Sequence, residues 1–293
     1  MKVSVRVPAS TSNLGPGFDS LGLALALHAR FTFETADKTE VLGCPEAFRG
    51  DDNLTLQAFR RVCEELGRKA PAVRLTVDSD VPPARGLGSS STCLAGGAAA
   101  ANAFFGSPLT KNDLLQVVTA FEGHPDNAAP ALFGGLTASF MDGGTAVTVE
   151  LPIDPAWRFA VIVPDYEVRT ADARRLMKPT VPLHDAVHTM SHAVALVRAL
   201  ETGDETLLGL ACRDVLHEPV RSTLIKEFAD VKALCLRNGA AAFFISGSGS
   251  TMIAVQKSEV TAARIAEAVA ERWPSFTTRV LRACHDGTTV KVG

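Results

Sequence analysis

The segment Val81-Pro82-Pro83-Ala84-Arg85-Gly86-Leu87-Gly88-Ser89-Ser90-Ser91-Thr92 carries two glycines and a run of hydroxyls. It lies between a strand-like stretch, Val73 to Val77, and a strong helical pattern, Cys93 to Phe105. Glycine lets a backbone turn tightly and gather several N–H groups around one ligand. A helix starting directly afterwards adds donors with no intrahelical partner and the positive end of its dipole. The chemistry these residues suit is anion binding, with phosphate the usual anion. A Gly/Ser turn with a serine N-cap reads the same way. The segment is not a Walker A loop, because it has no lysine. Nor is it a dinucleotide fingerprint, because Gly86-Leu87-Gly88 runs into serines. A phosphate site of this kind leans on helix dipole, backbone and metal.

Three further clusters bear on chemistry. Glu122-Gly123-His124-Pro125-Asp126-Asn127 closes a helical stretch. A carboxylate beside a phosphate loop is what Mg²⁺ takes, with water and nucleotide oxygens filling its other positions. Alone, Glu122 reads as a surface helix acid; its pairing with the serine loop gives it weight. Pro8 to Ser20 forms a dense polar, Gly/Pro-rich stretch read as a loop after the first strand, a common home for substrate residues. Asn13 can donate and accept there, and Asp19 can meet a cationic amine, although Asx-turn chemistry accounts for the same residues. Ser246-Gly247-Ser248-Gly249-Ser250-Thr251 is a second small-residue loop, either a plain hairpin turn or a backbone approach to a ligand. His184, His188 and His192 recur every fourth residue, but each step rises about 6 Å along a helix, so one ion cannot hold the outer two.

The elements that must position these residues follow from periodicity. Strands are expected at 3–7, 23–34, 73–78, 136–141, 145–151, 158–164, 241–246, 251–255 and 277–282. Helices are expected at 54–66, 90–105, 111–121, 186–201, 223–238 and 259–272. Two prolines in Leu151-Pro152-Ile153-Asp154-Pro155 suggest a break, giving halves of 1–152 and 153–293. Segregated elements of this kind indicate an α+β fold.

Composition bounds the remainder. Hydrophobic content of 46% and charged content of 21% are ordinary globular values. A net charge of -3 with no basic run argues against a nucleic-acid partner. Six scattered cysteines without a C-x-x-C pair favour reduced thiols over a disulfide frame or zinc site. Met1 to Val7 alternates like a strand rather than a signal peptide, and the longest apolar stretch, Leu21 to Leu27, is too short to span a bilayer. A soluble cytoplasmic protein with no membrane partner is expected.

Taken in order, the motifs resemble the GHMP kinase superfamily and, within it, the homoserine kinase family. Pro8 to Asp19 looks like that family's first motif, and Arg85 to Ser91 like the superfamily phosphate loop. Glu122 to Asn127, running into Ala129-Pro130-Ala131-Leu132-Phe133-Gly134-Gly135, looks specific to homoserine kinases. The resemblance continues through Thr170-Ala171-Asp172-Ala173-Arg174, Leu216-His217-Glu218-Pro219-Val220-Arg221 and Ser246-Gly247-Ser248-Gly249. It implies an N-terminal domain of ribosomal-protein-S5-like topology, a ferredoxin-like C-terminal domain, and a site between them. It implies ATP-dependent, Mg²⁺-assisted phosphorylation of L-homoserine to O-phospho-L-homoserine, toward threonine, and it admits a homodimer.

Position by position, the resemblance gives Pro83, Ala84, Arg85, Gly86, Leu87, Gly88, Ser89, Ser90 and Ser91 to the triphosphate. It gives Ser90 and Glu122 to Mg²⁺, and Asn53 to the adenine side. Asn13, Asp19, His124, Thr170, Arg174, Arg221 and Gly247 match positions around homoserine. Asp19 suits the ammonium group, Arg174 and Arg221 the carboxylate, and Asn13 the attacking hydroxyl. Asn127 stands at a catalytic position where related kinases carry an aspartate base, and a carboxamide cannot take a proton. Transfer through a loose transition state needs little base help, so the expectation is no dedicated protein base, with Asp126 the rival. Serines flanking Gly249, and Thr92, depart from the family pattern. Two other readings stand beside this one: a kinase of another small alcohol such as mevalonate, and a non-catalytic metabolite sensor.

Overall fold

Val3, Val5 and Val7 are wholly buried while Lys2 and Arg6 are exposed, the period-two pattern of a strand covered on one face. In the computed structural model, which describes residues 1–293, this strand (β1, Lys2–Asn13) runs well past the alternating segment. The residues from Pro8 onward are therefore not a loop. They are buried strand, paired with β2 (Gly17–Thr35) through two register shifts, and only Leu14 to Pro16 turn. Hydroxyl-rich strands are hard to read because their side chains are satisfied by distant partners.

The remaining elements, in order, are β3 (Glu40–Leu42), α1 (Leu54–Glu65), β4 (Val73–Ser79), α2 (Ser89–Phe104), α3 (Lys111–Glu122), α4 (Ala128–Phe133), β5 (Leu136–Asp142) and β6 (Thr145–Leu151). They are followed by β7 (Arg158–Val163), α5 (Thr170–Arg175), α6 (Leu183–Thr202), α7 (Glu205–Ala211), α8 (Glu218–Arg221), α9 (Phe228–Arg237), β8 (Ala242–Ile245), β9 (Met252–Gln256), α10 (Glu259–Arg272), β10 (Thr277–Leu281) and β11 (Thr289–Val292). The expected strands and helices are present to within a few residues, except that 3–7 runs on to Asn13, 23–34 starts already at Gly17, and 223–238 begins as a short 3₁₀ turn and is α-helical only from Phe228.

Seven strands form the first sheet, ordered β11-β1-β2-β4-β3 with β5 and β6 attached through β2. The second sheet, β10-β7-β9-β8, is antiparallel throughout. Numbered from β7, its order is fourth, first, third, second, the ferredoxin-like arrangement of a split βαβ unit. The last strand, β11, returns to the outer edge of β1, with Val3 opposite Val292. No helix is long and apolar enough to cross a membrane.

Helix α2 continues from the candidate phosphate loop, Pro83 to Ser91, and its small residues set its position. A Cβ on Gly96 would lie 2.4 Å from the Phe31 ring, and one on Gly97 would lie 2.0 Å from the Thr55 carbonyl oxygen. The helix is thus clamped between β2 and α1 at distances that no side chain tolerates.

Candidate active site

Between β4 and α2 the chain is anchored by the buried side chains of Val81 and Leu87. Ala84, Gly86 and Gly88 adopt left-handed φ of 52°, 76° and 65°. A Cβ on Gly88 would meet Ser10 Oγ at 2.0 Å, so only glycine fits where the loop crosses β1. The loop's carbonyls face its neighbours. Leu87 O accepts from Ser10 N (3.2 Å), Gly86 O from Ser246 Oγ (2.5 Å), and Arg85 O from Thr251 N (3.2 Å). The N–H groups of six consecutive residues, Gly86 to Ser91, donate to nothing in the chain. Three of them belong to the first turn of α2, where the dipole favours negative charge.

These donors border a polar cavity of about 250 Å³ between the two sheets. A second, more apolar cavity of about 490 Å³ adjoins it, sharing Ala84, Ser89 and Ser90. Phe48, Leu54, Val77 and Val81 line this second space, together with Pro83 and Asn53. Asn53 works there as the N-cap of α1: its Oδ1 accepts from Leu56 N (3.1 Å), and its Nδ2 donates to Phe48 O (2.8 Å). A polar chamber walled by anion donors beside an apolar one matches the two ends of a nucleotide.

Glu122 is the last residue of α3, and Gly123 at φ 82° turns the chain back toward the cavity. Burial raises the Glu122 carboxyl above its ordinary range, against the lowering pull of the Ser90 and Ser91 hydroxyls and His124. Neither Glu122 Oε1 nor Ser91 Oγ has a hydrogen-bond partner, so the hydroxyl approach falls short of a bond at that oxygen. An orphaned carboxylate oxygen beside the Ser90 hydroxyl is a hard-oxygen donor set that fits Mg²⁺.

His124 Nδ1 is hydrogen-bonded to the buried carboxylate of Asp126. Burial lowers the His124 pKa, but Asp126 outweighs it and the net shift is upward. Asn127, the N-cap position of α4, has its amide fixed at both ends. Ser10 Oγ donates to Oδ1 (2.9 Å), and Nδ2 donates to Ser12 Oγ (2.8 Å).

The far end of the cavity is built from long-range pairs. Asp19 and Arg174, expected to meet opposite charges of a ligand, meet each other in a fork at 3.0 and 3.1 Å. Asn13, at φ 73°, accepts from Asp19 N (3.0 Å) and donates to Gly247 O (3.0 Å). Arg221 is 2% exposed; its Nη1 donates to the same Gly247 oxygen (2.8 Å), while its Nε has no partner. Burial lowers its pKa. Thr170 Oγ1 lies 3.3 Å from Ser248 Oγ.

A buried scaffold behind Arg221 was not legible in advance. Asp214 Oδ2 accepts from the N–H groups of His217 (2.8 Å) and Glu218 (2.7 Å), which starts α8. Glu218 Oε1 accepts from Ile245 N (2.7 Å) at the end of β8, and burial pushes its carboxyl up to about 7. His217 donates from Nε2 to Gly15 O (2.8 Å) and stacks on Phe18, over which the Arg221 guanidinium sits at 5.0 Å. The only advance signal was the polar pattern Leu216 to Arg221 itself.

Most of the nominated residues thus border the one polar cavity. Asn53 and Pro83 border the adjoining one. The Leu87 side chain lies in the core, and the Arg85 side chain turns away from the cavity. On α6, His188 and His192 stack at 3.6 Å and each places a ring nitrogen on a backbone carbonyl, of Arg213 and His188 respectively.

Comparison with known proteins adds to this geometry. A family model described as the GHMP kinases N terminal domain matches residues 53–135, and one described as GHMP kinases C terminal matches residues 196–275. The chain is 43% identical to the homoserine kinase of Thermosynechococcus vestitus, over 98% of each chain. It is 42% identical to that of Gloeobacter violaceus, over 92% of this chain and 93% of the other. The crystal structure of homoserine kinase from Cytophaga hutchinsonii superposes with a TM-score of 0.90 at 29% identity, covering 99% of this chain and 97% of that one. The mevalonate kinase of Methanococcus jannaschii, at 12% identity and a TM-score of 0.75 over 96% and 98% of the chains, is alike in fold alone.

Proposed function

The chain belongs to the GHMP kinase family, and from that premise we propose that it moves the γ-phosphoryl group of ATP onto the side-chain hydroxyl of L-homoserine. The product is O-phospho-L-homoserine, a step toward threonine. The observation that carries this reading is the row of six unpartnered N–H groups, Gly86 to Ser91, beside the cavity that also holds Glu122, Asp19 and Arg221.

On this reading the triphosphate lies on those N–H groups and the nucleoside extends into the apolar cavity past Asn53 and Pro83. Glu122 and Ser90 would hold Mg²⁺, which would supply charge neutralisation for the phosphates. The homoserine ammonium takes Asp19, and its carboxylate takes Arg174 and Arg221, so the ligand must part the Asp19–Arg174 fork. Thr170, His124 and the Gly247 carbonyl complete that end, and Asn13 keeps one N–H and one lone pair for the reacting hydroxyl. The hydroxyl oxygen forms the new P–O bond, the bond to ADP breaks, and the proton passes to the transferred phosphate or to water. Asn127 orients β1 through Ser10 and Ser12 rather than taking a proton. Asp126 already accepts from His124, which disfavours it as the base. The ATP-binding half is 1–152 and the second half 153–293, with β11 returning to the first. Six free thiols fit a reducing compartment, so we place the protein in the cytoplasm.

The test is a ³¹P NMR time course with ATP and Mg²⁺, in parallel with L-homoserine, L-threonine, L-serine and mevalonate. A new phosphomonoester signal with homoserine, dependent on Mg²⁺, is expected. A signal with mevalonate alone, or ADP release without any phosphomonoester, overturns the assignment.

A further inference from the structure

Arg85 sits inside the phosphate loop, yet its side chain leaves it. Left-handed backbone at Ala84 and Gly86 brackets it, and its carbonyl is held by Thr251 N. Its guanidinium crosses to the segment joining β7 and α5. Nη2 donates to Asp165 O (3.2 Å), and Nη1 lies 3.2 Å from Glu167 Oε1. The arginine is only 18% exposed, so the contact is partly shielded from solvent.

The segment it reaches is the strap that delivers Thr170 and Arg174 to the far end of the cavity. Apart from the Asp19–Arg174 fork, its other side-chain ties come from the second half of the chain: Ser250 Oγ donates to Tyr166 O (2.6 Å), Tyr166 donates to Glu227 Oε2 (2.7 Å), and Thr170 Oγ1 lies 3.3 Å from Ser248 Oγ. Between residues 164 and 169, Arg85 is the one side chain from the phosphate loop that bonds the strap. Nη1 also donates to the loop's own Pro83 O (3.4 Å) and Ala84 O (3.5 Å), so the guanidinium bonds both ends of the cavity and joins them.

We propose that Arg85 is a positioning residue that couples nucleotide occupancy of the phosphate loop to the order of the 164–176 strap, and hence to binding at the Thr170–Arg174 end. A phosphate seated on the Gly86 to Ser91 N–H groups fixes the backbone that aims Arg85, and the fork then fixes Asp165 and Glu167. Such coupling is reciprocal, so occupancy of the strap end strengthens nucleotide binding by the same factor. An ion pair of this exposure supports a modest effect, about three- to tenfold.

This inference rests on the reading of the loop as a nucleotide site but not on homoserine as acceptor, and its first readout needs no acceptor. Hydrogen exchange of the 164–176 amides is measured on the full chain with and without saturating Mg²⁺ and a non-hydrolysable ATP analogue. The wild type is expected to show about three- to tenfold slower exchange in the strap when the analogue is bound. Arg85→Ala and Glu167→Gln are expected to lose that protection at saturating analogue, and Arg85→Lys to keep part of it. Calorimetry then compares homoserine affinity with and without the analogue, where the enhancement falls toward one in Arg85→Ala. Retained strap protection in Arg85→Ala, with nucleotide affinity weakened tenfold or more, overturns the proposal and makes Arg85 a phosphate ligand. Wild-type strap exchange that ignores bound analogue overturns it too. Absent homoserine binding, with strap protection intact, counts against the acceptor and leaves the coupling supported.

Discussion

The two ends of the cavity are built on opposite plans. At the loop from Gly86 to Ser91, polar groups are collected and left without partners: six N–H donors, an acceptor oxygen on the Glu122 carboxyl and the Ser91 hydroxyl. At the far end, the same kinds of group are turned on one another: Asp19 on Arg174, Asn13 and Arg221 on Gly247, Thr170 on Ser248. The first is a preorganised receptor that a ligand completes. The second is paired within itself except at Arg221 Nε, so a ligand must offer both charges to displace the Asp19–Arg174 fork. A ligand with one charge leaves Asp19 or Arg174 unmatched, which costs more than the single lost contact.

The largest effect tests the unpartnered end. Glu122→Gln is expected to lower kcat about 10²- to 10³-fold, as loss of a charged ligand at a reacting phosphate does. The same variant is expected to be more stable than wild type without Mg²⁺, because it removes a buried, raised carboxyl; thermal melts with and without Mg²⁺ check this. Full activity in Glu122→Gln would break the contrast at its stronger side.

Next comes the self-paired end. Arg221→Ala is expected to raise the homoserine KM about 10²-fold and leave the ATP KM within a few-fold, as steady-state kinetics will report. Equal effects on both would sink its assignment to the amino acid. One-charge analogues sharpen the point further. γ-Hydroxybutyrate and 3-aminopropanol are each expected to compete about 10- to 10²-fold more weakly than homoserine in inhibition assays. If either competes within threefold of homoserine, the Asp19–Arg174 fork does not select for a zwitterion.

A smaller effect is read in stability against pH. Glu218 has a folded pKa raised from 4.5 to about 7 by burial, so the folded state favours its protonated form. Its contribution is fully present below about pH 4.5 and is lost as pH rises through 7, on the order of 3 kcal/mol across that window. The difference in melting temperature between wild type and Glu218→Gln is expected to move against wild type between pH 4.5 and 7.5. Taking the difference removes His217, which burial lowers, and His124, which Asp126 raises. The smallest effect is expected for Asn53→Ala, about 1 kcal/mol of stability from the lost cap of α1, with little change in kcat.

The contrast between the ends also explains what could be read from the amino acids. The turn from Pro83 to Ser91 is written locally, in glycines and serines between a strand and a helix, and its place before α2 was legible, although Arg85 and Leu87 send their side chains away from the cavity. Glu122 was legible only by association with it. The far end is written across the chain: Asp19 and Arg174 are 155 positions apart, and Asn13 and Gly247 are 234 apart. Nothing local announces such pairs. The resemblance nominated those residues as ligand contacts, whereas their bonds to one another became visible only in three dimensions. The same reason hid the strand character of Ser10 to Asn13, whose hydroxyls answer Asn127 and Ser246. Short elements were missed for want of a period. Helices α4, α5, α7 and α8 span one or two turns, and β3 and β11 exist because β4 and β1 offer them an edge.

The glycine clamp on α2 has a mechanical meaning. With Phe31 against Gly96 and the Thr55 carbonyl against Gly97, the helix has no slack in either direction. Sliding it by one residue would drive the methyl group of Ala95 toward the Phe31 ring or that of Ala98 toward the Thr55 carbonyl. One jaw of the cavity is therefore an anvil, stiff along the helix axis that ends at the unpartnered Gly86 to Ser91 N–H groups. On the proposed reading, the adjustment that a second substrate demands falls to the opposite jaw, the strap that carries Thr170 and Arg174 and that is tied down by side chains rather than by a helix packed on glycine.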